Sequence, residues 1–472
     1  MDRLRGADGA HLYLESRTEH RHTIKIQVLD TSTAFEPQNI FAVKQTLEKG
    51  IAVVPPLHWR LVRVPFNIAH PLWAYQRQLD LDYHIRRAAV PAPGGPVEFA
   101  EVVSEIASTG LERDRPLWQM WLVEGLAGGR VAFVTKLHHA LADGTASARI
   151  LLDVMDQSPT ETALGNDHPW PGNEPIPSRW TLLFDGLRDT LALFFGLPRL
   201  FARLARAGMS MRRRTAQHKP KSARLFSAPH TRFNRELTPH RWFTNVGLPI
   251  EDMKRVKTLL GGTFNDVYVA LCSGSIRRYL DDKGELPRQP LVASIPVSIR
   301  EPHEMRDYGN RISSWLVSLP THLEDPLQRY EAVRASTSAA RDAHENGDPG
   351  LYDAMQQHWW IYRLFDFSVR VFRKLTGKPH MHVIISNVRG PSAPLYTGGA
   401  RIVELQSMGP LIDGVGLNFT GWSYVDTLSV GIVACREHVP DVAKLADGVR
   451  DELRLLLDAA EKKASSGVPD EA

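Results

Sequence analysis

Val131-Ala132-Phe133-Val134-Thr135-Lys136-Leu137-His138-His139-Ala140-Leu141-Ala142-Asp143-Gly144 reads as an apolar strand that stops at a histidine pair. Small and apolar residues follow, then Asp-Gly, and residues 145–155 have helical character. A side chain at the end of a rigid strand can face a cleft and hold its place there. Gly144 allows a backbone conformation or close approach that a Cβ would forbid. Asp143 can fix the loop by pairing with an arginine or accepting backbone N–H groups. An imidazole with a pKa of about 6.5 is largely neutral near pH 7 and can take a proton from an alcohol. The histidine pair is therefore the candidate source of a general base. The competing reading is two structural histidines in a turn, and the strand-before, helix-after context favours the base. The spacing lacks the His-Glu-x-x-His pattern of a zinc protease and has no cysteine cluster beside it, so no metal is expected.

Outward from this stretch the pattern alternates strands and helices. Residues 24–29 alternate apolar and polar, the signature of a half-buried strand. Helices are expected at 39–49 and 99–106, and strands at 61–64, 118–124 and 130–137, the last two joined by a glycine-rich turn at 125–129. Residues 159–178 are rich in Pro, Gly, Asn and Asp and mark a linker. A second run of mixed elements begins near residue 231 and closes with a helix over 441–457. The expected organisation is a lobe at 1–160, a linker with amphipathic basic helices at 161–228, a second lobe at 229–465 and a disordered tail at 466–472. The loose mixed strand-helix texture shared by the two halves suggests two α/β lobes facing each other.

Bulk numbers limit the function. The chain has 472 residues, 43% hydrophobic and 23% charged, with net charge +4. That composition buries large cores, so disorder is not expected for most of it. The mild basicity suits an anionic ligand or surface, and no basic block with interleaved aromatics suggests a nucleic acid. Cys272 and Cys435 lie in apolar surroundings and read as buried thiols in a reducing, cytoplasmic setting. The chain starts without an apolar signal core and has no run of about 18 apolar residues. Membrane contact is expected to be peripheral at most.

The histidine stretch resembles the HHxxxDG signature of the chloramphenicol-acetyltransferase-like superfamily. Pro116-Leu117-Trp118, Asn265-Asp266, Pro296-Val297-Ser298-Ile299-Arg300 with Gly309-Asn310, and Ser386-Asn387-Val388-Arg389-Gly390-Pro391 make the chain similar to the bacterial wax ester synthase/diacylglycerol acyltransferase family over nearly its whole length. Two stretches depart from that pattern: Glu19-His20-Arg21-His22-Thr23 replaces a Pro-Met-His-like run, and Arg389 stands where Pro is usual.

The resemblance implies two layered α/β lobes with the active site and a substrate tunnel between them. It implies acyl transfer from acyl-CoA to diacylglycerol or a long-chain alcohol, without an acyl-enzyme and without a bound cofactor. The same signature serves other donors and acceptors, such as a carrier-protein-bound chain or a polyketide or sugar hydroxyl, and a non-catalytic lipid-binding protein could keep the fold. His139 would be the base, His138 a supporting neighbour, and Asp143 structural with Arg300 as its partner; Gly144 has no chemistry of its own. Asn265 is either an oxyanion donor or a helix N-cap. Ser386 and Asn387 either line the acyl or CoA channel or form a turn, and Pro116-Leu117-Trp118 reads as packing.

Residues 180–214 place Leu182, Leu183, Leu187, Leu191, Phe194, Phe195, Leu200, Phe201 and Leu204 at near-helical spacing, with arginines along the second half. An interfacial helix at an inner membrane or lipid inclusion has this pattern. So does a helix docked across two lobes, and the two uses are compatible.

Overall fold

The strand His22–Asp30 pairs antiparallel with Arg130–His138 in a register that matches His22 with His138, so the two strands end flush. The structure, a computed structural model, describes residues 1–33, 50–52, 54–160, 172–216, 223, 226–304, 307–348 and 350–466. The helix expected at 39–49 and nearly all of the tail from 466 lie outside them.

The first sheet runs Tyr396–Thr397, Ala400–Met408, His22–Asp30, Arg130–His138, Trp118–Leu126, Ile85–Ala89. Its outer face carries Ile24, Ile26, Val28, Ala132 and Val134, packed under the helix Pro96–Ala107 through Phe99, Val103 and Ile106. Pro96 begins that helix, and Glu98 reaches back to the Gly95 N–H at 2.9 Å, which closes the first turn. Burying one such aliphatic or aromatic side chain contributes about 1.5–3 kcal/mol.

Residues 24–29 were expected to be half-buried, but both faces of this strand are covered. The alternate set Thr23, Lys25 and Gln27 faces the second lobe rather than water. Lys25 Nζ donates to Ser407 Oγ at 2.8 Å and lies 4.8 Å from the Trp422 ring, and burial lowers its pKa to about 7.

The second sheet runs Ile312–Leu319, Leu291–Ser298, Val383–Val388, Leu417–Tyr424, Thr427–Cys435, Arg241–Pro249. The helices Ile250–Leu260, Phe264–Asp282, Pro326–Glu345 and Ala443–Ser465 supply its core with Val267, Leu271, Val333 and Leu453. Cys272 and Cys435 are buried and free.

The lobe boundary at 229 does not divide the sheets. The strand Ala400–Met408 comes from the second half of the chain yet pairs with His22–Asp30. It crosses because Gly431 lets the neighbouring sheet approach: a Cβ there would lie 2.0 Å from the Ser407 carbonyl oxygen. The crossover strand fastens the two sheets together next to the histidine pair.

Residues 179–216 form one helix, Arg179–Ala216, with Pro198 inside it. It docks along the first lobe through Leu182 against Val62 and Ala74, and reaches the second lobe through paired hydrogen bonds of 2.6 Å from Arg203 to Asp348. Its other side leaves Trp180, Phe184, Phe194, Phe195 and Phe201 exposed. The helix Trp359–Thr376 likewise exposes Leu364, Phe367 and Leu375. No helix among the described residues is long and apolar enough to cross a membrane.

Candidate active site

His139 follows the last residue of its strand. Its backbone N–H donates to the Arg21 carbonyl at 2.7 Å, which continues the sheet pairing by one residue and fixes where the ring begins. Its Nδ1 lies 3.0 Å from Asn310 Oδ1. The Asn310 amide nitrogen donates to Asp8 Oδ1 at 2.8 Å and to the His139 carbonyl at 2.7 Å. Both of those partners can only accept, so the amide oxygen must face the ring, and His139 Nδ1 must carry the hydrogen. Nε2 is then the basic nitrogen. It has no partner among the described residues and is not sealed from solvent.

Asp8 accepts a second hydrogen from the Asn310 backbone at 2.7 Å. Burial pushes its pKa up to about 6 despite those two donors. The His139 pKa is pulled below the ordinary histidine value, chiefly by burial, which keeps the ring neutral and able to accept a proton.

His138 has a different setting. It is buried, its Nδ1 accepts the Ala140 N–H at 3.0 Å, and its Nε2 is 3.5 Å from Glu15 Oε1. Burial alone would raise the Glu15 pKa, but His138 and Arg113 more than offset it and hold the carboxyl at about 2. His138 is thereby enclosed by protein, whereas His139 keeps an accessible edge.

Asp143 caps the helix Gly144–Leu152, its Oδ1 accepting the Ala146 N–H at 2.9 Å. Its Oδ2 pairs with Arg300 and accepts the Arg311 N–H at 3.0 Å. Both side chains of the pair are 1% exposed. Arg300 also donates to the Gly309 carbonyl at 2.7 Å, and Gly309 donates to the Leu141 carbonyl at 3.1 Å. Arg300, Gly309 and Arg311 of the second lobe are thus laced to the histidine loop. The hydrogen bonds of the Asp143 carboxylate go to this lacing and not to the His139 ring. Gly144 meets the other lobe directly: a Cβ there would lie 3.1 Å from Val388 Cγ2.

The remaining candidate residues are placed less centrally. Thr263, not Asn265, caps the helix Phe264–Asp282, with Asp266 closing the capping box at 2.7 Å and 3.1 Å. Asn265 lies in the first turn, partly exposed, with no side-chain hydrogen bond among the described residues. Asp266 is further tied to Thr337 Oγ1 at 2.6 Å. Ser386 and Asn387 lie within the strand Val383–Val388, beside Thr420 and Gly421, rather than in a turn. Leu117 and Trp118 are buried, and Trp118 Nε1 donates to the Leu57 carbonyl at 2.7 Å, so this stretch packs. The described residues contain no cluster fit to hold a metal.

Sequence reasoning missed Asp8, His11 and Glu15, and gave Asn310 no role. Asp8, His11 and Glu15 recur at i, i+3 and i+7 on and just past the helix Gly6–Leu14. That spacing puts them on one face, turned toward the histidine pair. A polar stripe on an otherwise apolar helix was the available signal.

The chain is similar to known proteins over most of its length. Residues 4–268 match the wax ester synthase/diacylglycerol acyltransferase catalytic domain, and residues 308–457 match the C-terminal domain of the same family. A Mycobacterium tuberculosis protein provisionally named a diacylglycerol O-acyltransferase is 36% identical over 456 residues, 95% of this chain and 94% of its own. One from Mycobacterium bovis, provisionally named likewise, is 30% identical over 462 residues, 96% of this chain and 98% of its own. The solved wax ester synthase/diacylglycerol acyltransferase from Marinobacter aquaeolei VT8 superposes with TM-score 0.69 at 26% identity, covering 97% of this chain and 100% of that one. A condensation domain of the calcium-dependent antibiotic synthetase shares the fold, with TM-score 0.58 at 17% identity, 97% of this chain and 96% of that one. With two α/β lobes joined at the histidine loop and family matches across most of its length, the chain belongs to the wax ester synthase/diacylglycerol acyltransferase family of O-acyltransferases.

Proposed function

We propose that the protein transfers a long-chain acyl group from acyl-CoA to the hydroxyl of diacylglycerol or of a long-chain alcohol, with His139 as general base. One observation carries this reading: Asp8 and Asn310 fix the His139 ring with the hydrogen on Nδ1, leaving Nε2 free and accessible. The acceptor hydroxyl gives its proton to Nε2 as its oxygen attacks the thioester carbonyl. The tetrahedral intermediate expels CoA thiolate, and the imidazolium returns the proton to the sulfur. The products are an ester and CoA, with no covalent enzyme intermediate and no bound cofactor. His138 and Asp143 support the loop, and Arg300 holds Asp143. Asn265 and the Ser386–Asn387 strand end are candidates for the oxyanion and acyl-channel contacts.

The exposed apolar sides of Arg179–Ala216 and Trp359–Thr376 support peripheral binding to a membrane or lipid-droplet surface, where such acceptors reside. The test is acyl transfer from palmitoyl-CoA to dipalmitoylglycerol and to hexadecanol, with His139→Ala as control. Turnover of either acceptor that disappears in the variant supports the reading; turnover that survives overturns it.

A further inference from the structure

His11 lies on the helix Gly6–Leu14 and stacks on His139, ring centroids 4.2 Å apart and planes 18° from parallel. It is deep in the protein but keeps an accessible edge. Its Nδ1 is sealed and without a partner, whereas Nε2 is not sealed and has no protein partner among the described residues. The helix that carries it is held on both flanks of the ring. Leu12 is in the core, Asp8 receives Asn310, and a Cβ at Gly9 would lie 2.7 Å from the His70 ring.

Burial, followed by the neighbouring His139 ring and the Arg21 guanidinium, pulls the His11 pKa well below the ordinary histidine value and favours a neutral ring. A neutral imidazole carries one hydrogen, and placing it on Nε2 leaves the sealed Nδ1 a bare acceptor rather than an orphaned buried N–H. The site therefore presents two rings side by side: His139 offers an acceptor and His11 offers a donor. A packing role alone would be filled by phenylalanine, without burying an unpartnered nitrogen.

We propose that His11 is a second substrate-contacting residue, whose Nε2–H binds the oxygen adjacent to the attacking hydroxyl and so favours a glycerol-ester acceptor over a plain long-chain alcohol. The inference rests on the acyl-transfer reading above. In a 1,2-diacylglycerol the free hydroxyl and the neighbouring ester oxygen sit on adjacent carbons. With the two rings stacked 4.2 Å apart, in the proposed pose one oxygen reaches His139 Nε2 while the other accepts from His11. A long-chain alcohol has no second oxygen and leaves the His11 donor unmet, which costs affinity in the transition state.

Two isomeric acceptors separate the contact from chain length: 2-palmitoyloxypropan-1-ol, with vicinal oxygens, and 3-palmitoyloxypropan-1-ol, with the ester one carbon further away. Each is assayed with palmitoyl-CoA and the full-length protein. The unaltered enzyme is expected to prefer the vicinal isomer in kcat/KM by at least ten-fold. His11→Phe keeps the stacked ring without the donor and is expected to reduce that ratio to within two-fold of unity. His11→Gln, which keeps an N–H donor, is expected to restore part of it. Equal use of the two isomers by the unaltered enzyme overturns the inference, and this arm needs no variant to fold. An unchanged ratio in His11→Phe overturns it too. Turnover of neither isomer, nor of dipalmitoylglycerol or hexadecanol, instead overturns the acyl-transfer reading and this inference with it.

Discussion

Asn310 holds His139 at two points: its amide oxygen lies 3.0 Å from Nδ1 of the ring, and its amide nitrogen donates to the backbone carbonyl of the same residue at 2.7 Å. The proposed base comes from one lobe and its orienting residue from a segment laced to it from the other. Catalytic competence therefore depends on the lobes staying registered, which Arg300, Gly309 and the crossover strand secure.

Asn310→Leu removes the acceptor that selects the Nδ1–H tautomer. The expected result is a fall in kcat of about 10–100-fold with little change in KM, since proton transfer rather than binding is impaired. Steady-state kinetics with palmitoyl-CoA and a saturating acceptor check it. A change confined to KM would show that Asn310 acts on binding instead.

Asp8 gives a pH dependence whose sign can be worked out. Its folded pKa, about 6, is above the ordinary value of 3.8. Its contribution to stability is thus fully present below pH 3.8 and lost as pH rises through 6, a swing of roughly 3 kcal/mol. The difference in Tm between Asp8→Asn and the unaltered protein should become more positive from pH 4.5 to pH 7.5. In activity, protonation of Asp8 weakens its hold on the Asn310 amide, so kcat should decline below about pH 6, and Asp8→Asn should lack that step. A Tm difference independent of pH would count against the assignment.

Much of this was legible in the sequence. The strand–histidine–helix pattern located the site because hydrophobic period and a terminating polar pair are local properties. The strands at 118–124 and 130–137 follow from the same local signal and agree with the observed Trp118–Leu126 and Arg130–His138 to within one or two residues. What stayed hidden was set by distant partners. Lys25 and Gln27 read as a solvent face, and only the packing of the second lobe buries them. Thr263 rather than Asn265 caps its helix because two polar residues competed for one local role. Asp8 and Asn310, 302 residues apart, meet only because the lobes close.

The Asp143–Arg300 pair is buried on both sides, so removing one partner strands a charge. Arg300→Met is expected to destabilise the protein by about 3–5 kcal/mol, and Asp143→Asn in the same chain to recover part of it. Denaturant unfolding of both variants measures this. A loss below about 1 kcal/mol would mean that the lobes are held together elsewhere.

The exposed face of Arg179–Ala216 should act in lipid binding. Replacing Phe194, Phe195 and Phe201 by Ser is expected to lower partitioning onto anionic phospholipid vesicles by at least ten-fold while leaving the Tm within about 2 °C, because these side chains are solvent-exposed. Vesicle sedimentation reads the first quantity and a thermal melt the second. Undiminished partitioning would place the lipid contact on another face.

The most direct test of the central claim is the kcat of His139→Gln, assayed beside His138→Gln with palmitoyl-CoA and whichever of dipalmitoylglycerol and hexadecanol the unaltered enzyme turns over. A loss of at least about 100-fold in His139→Gln, in protein that melts like the parent, is the expected result. Comparable activity in His139→Gln and the parent would contradict the assignment of His139 as the base.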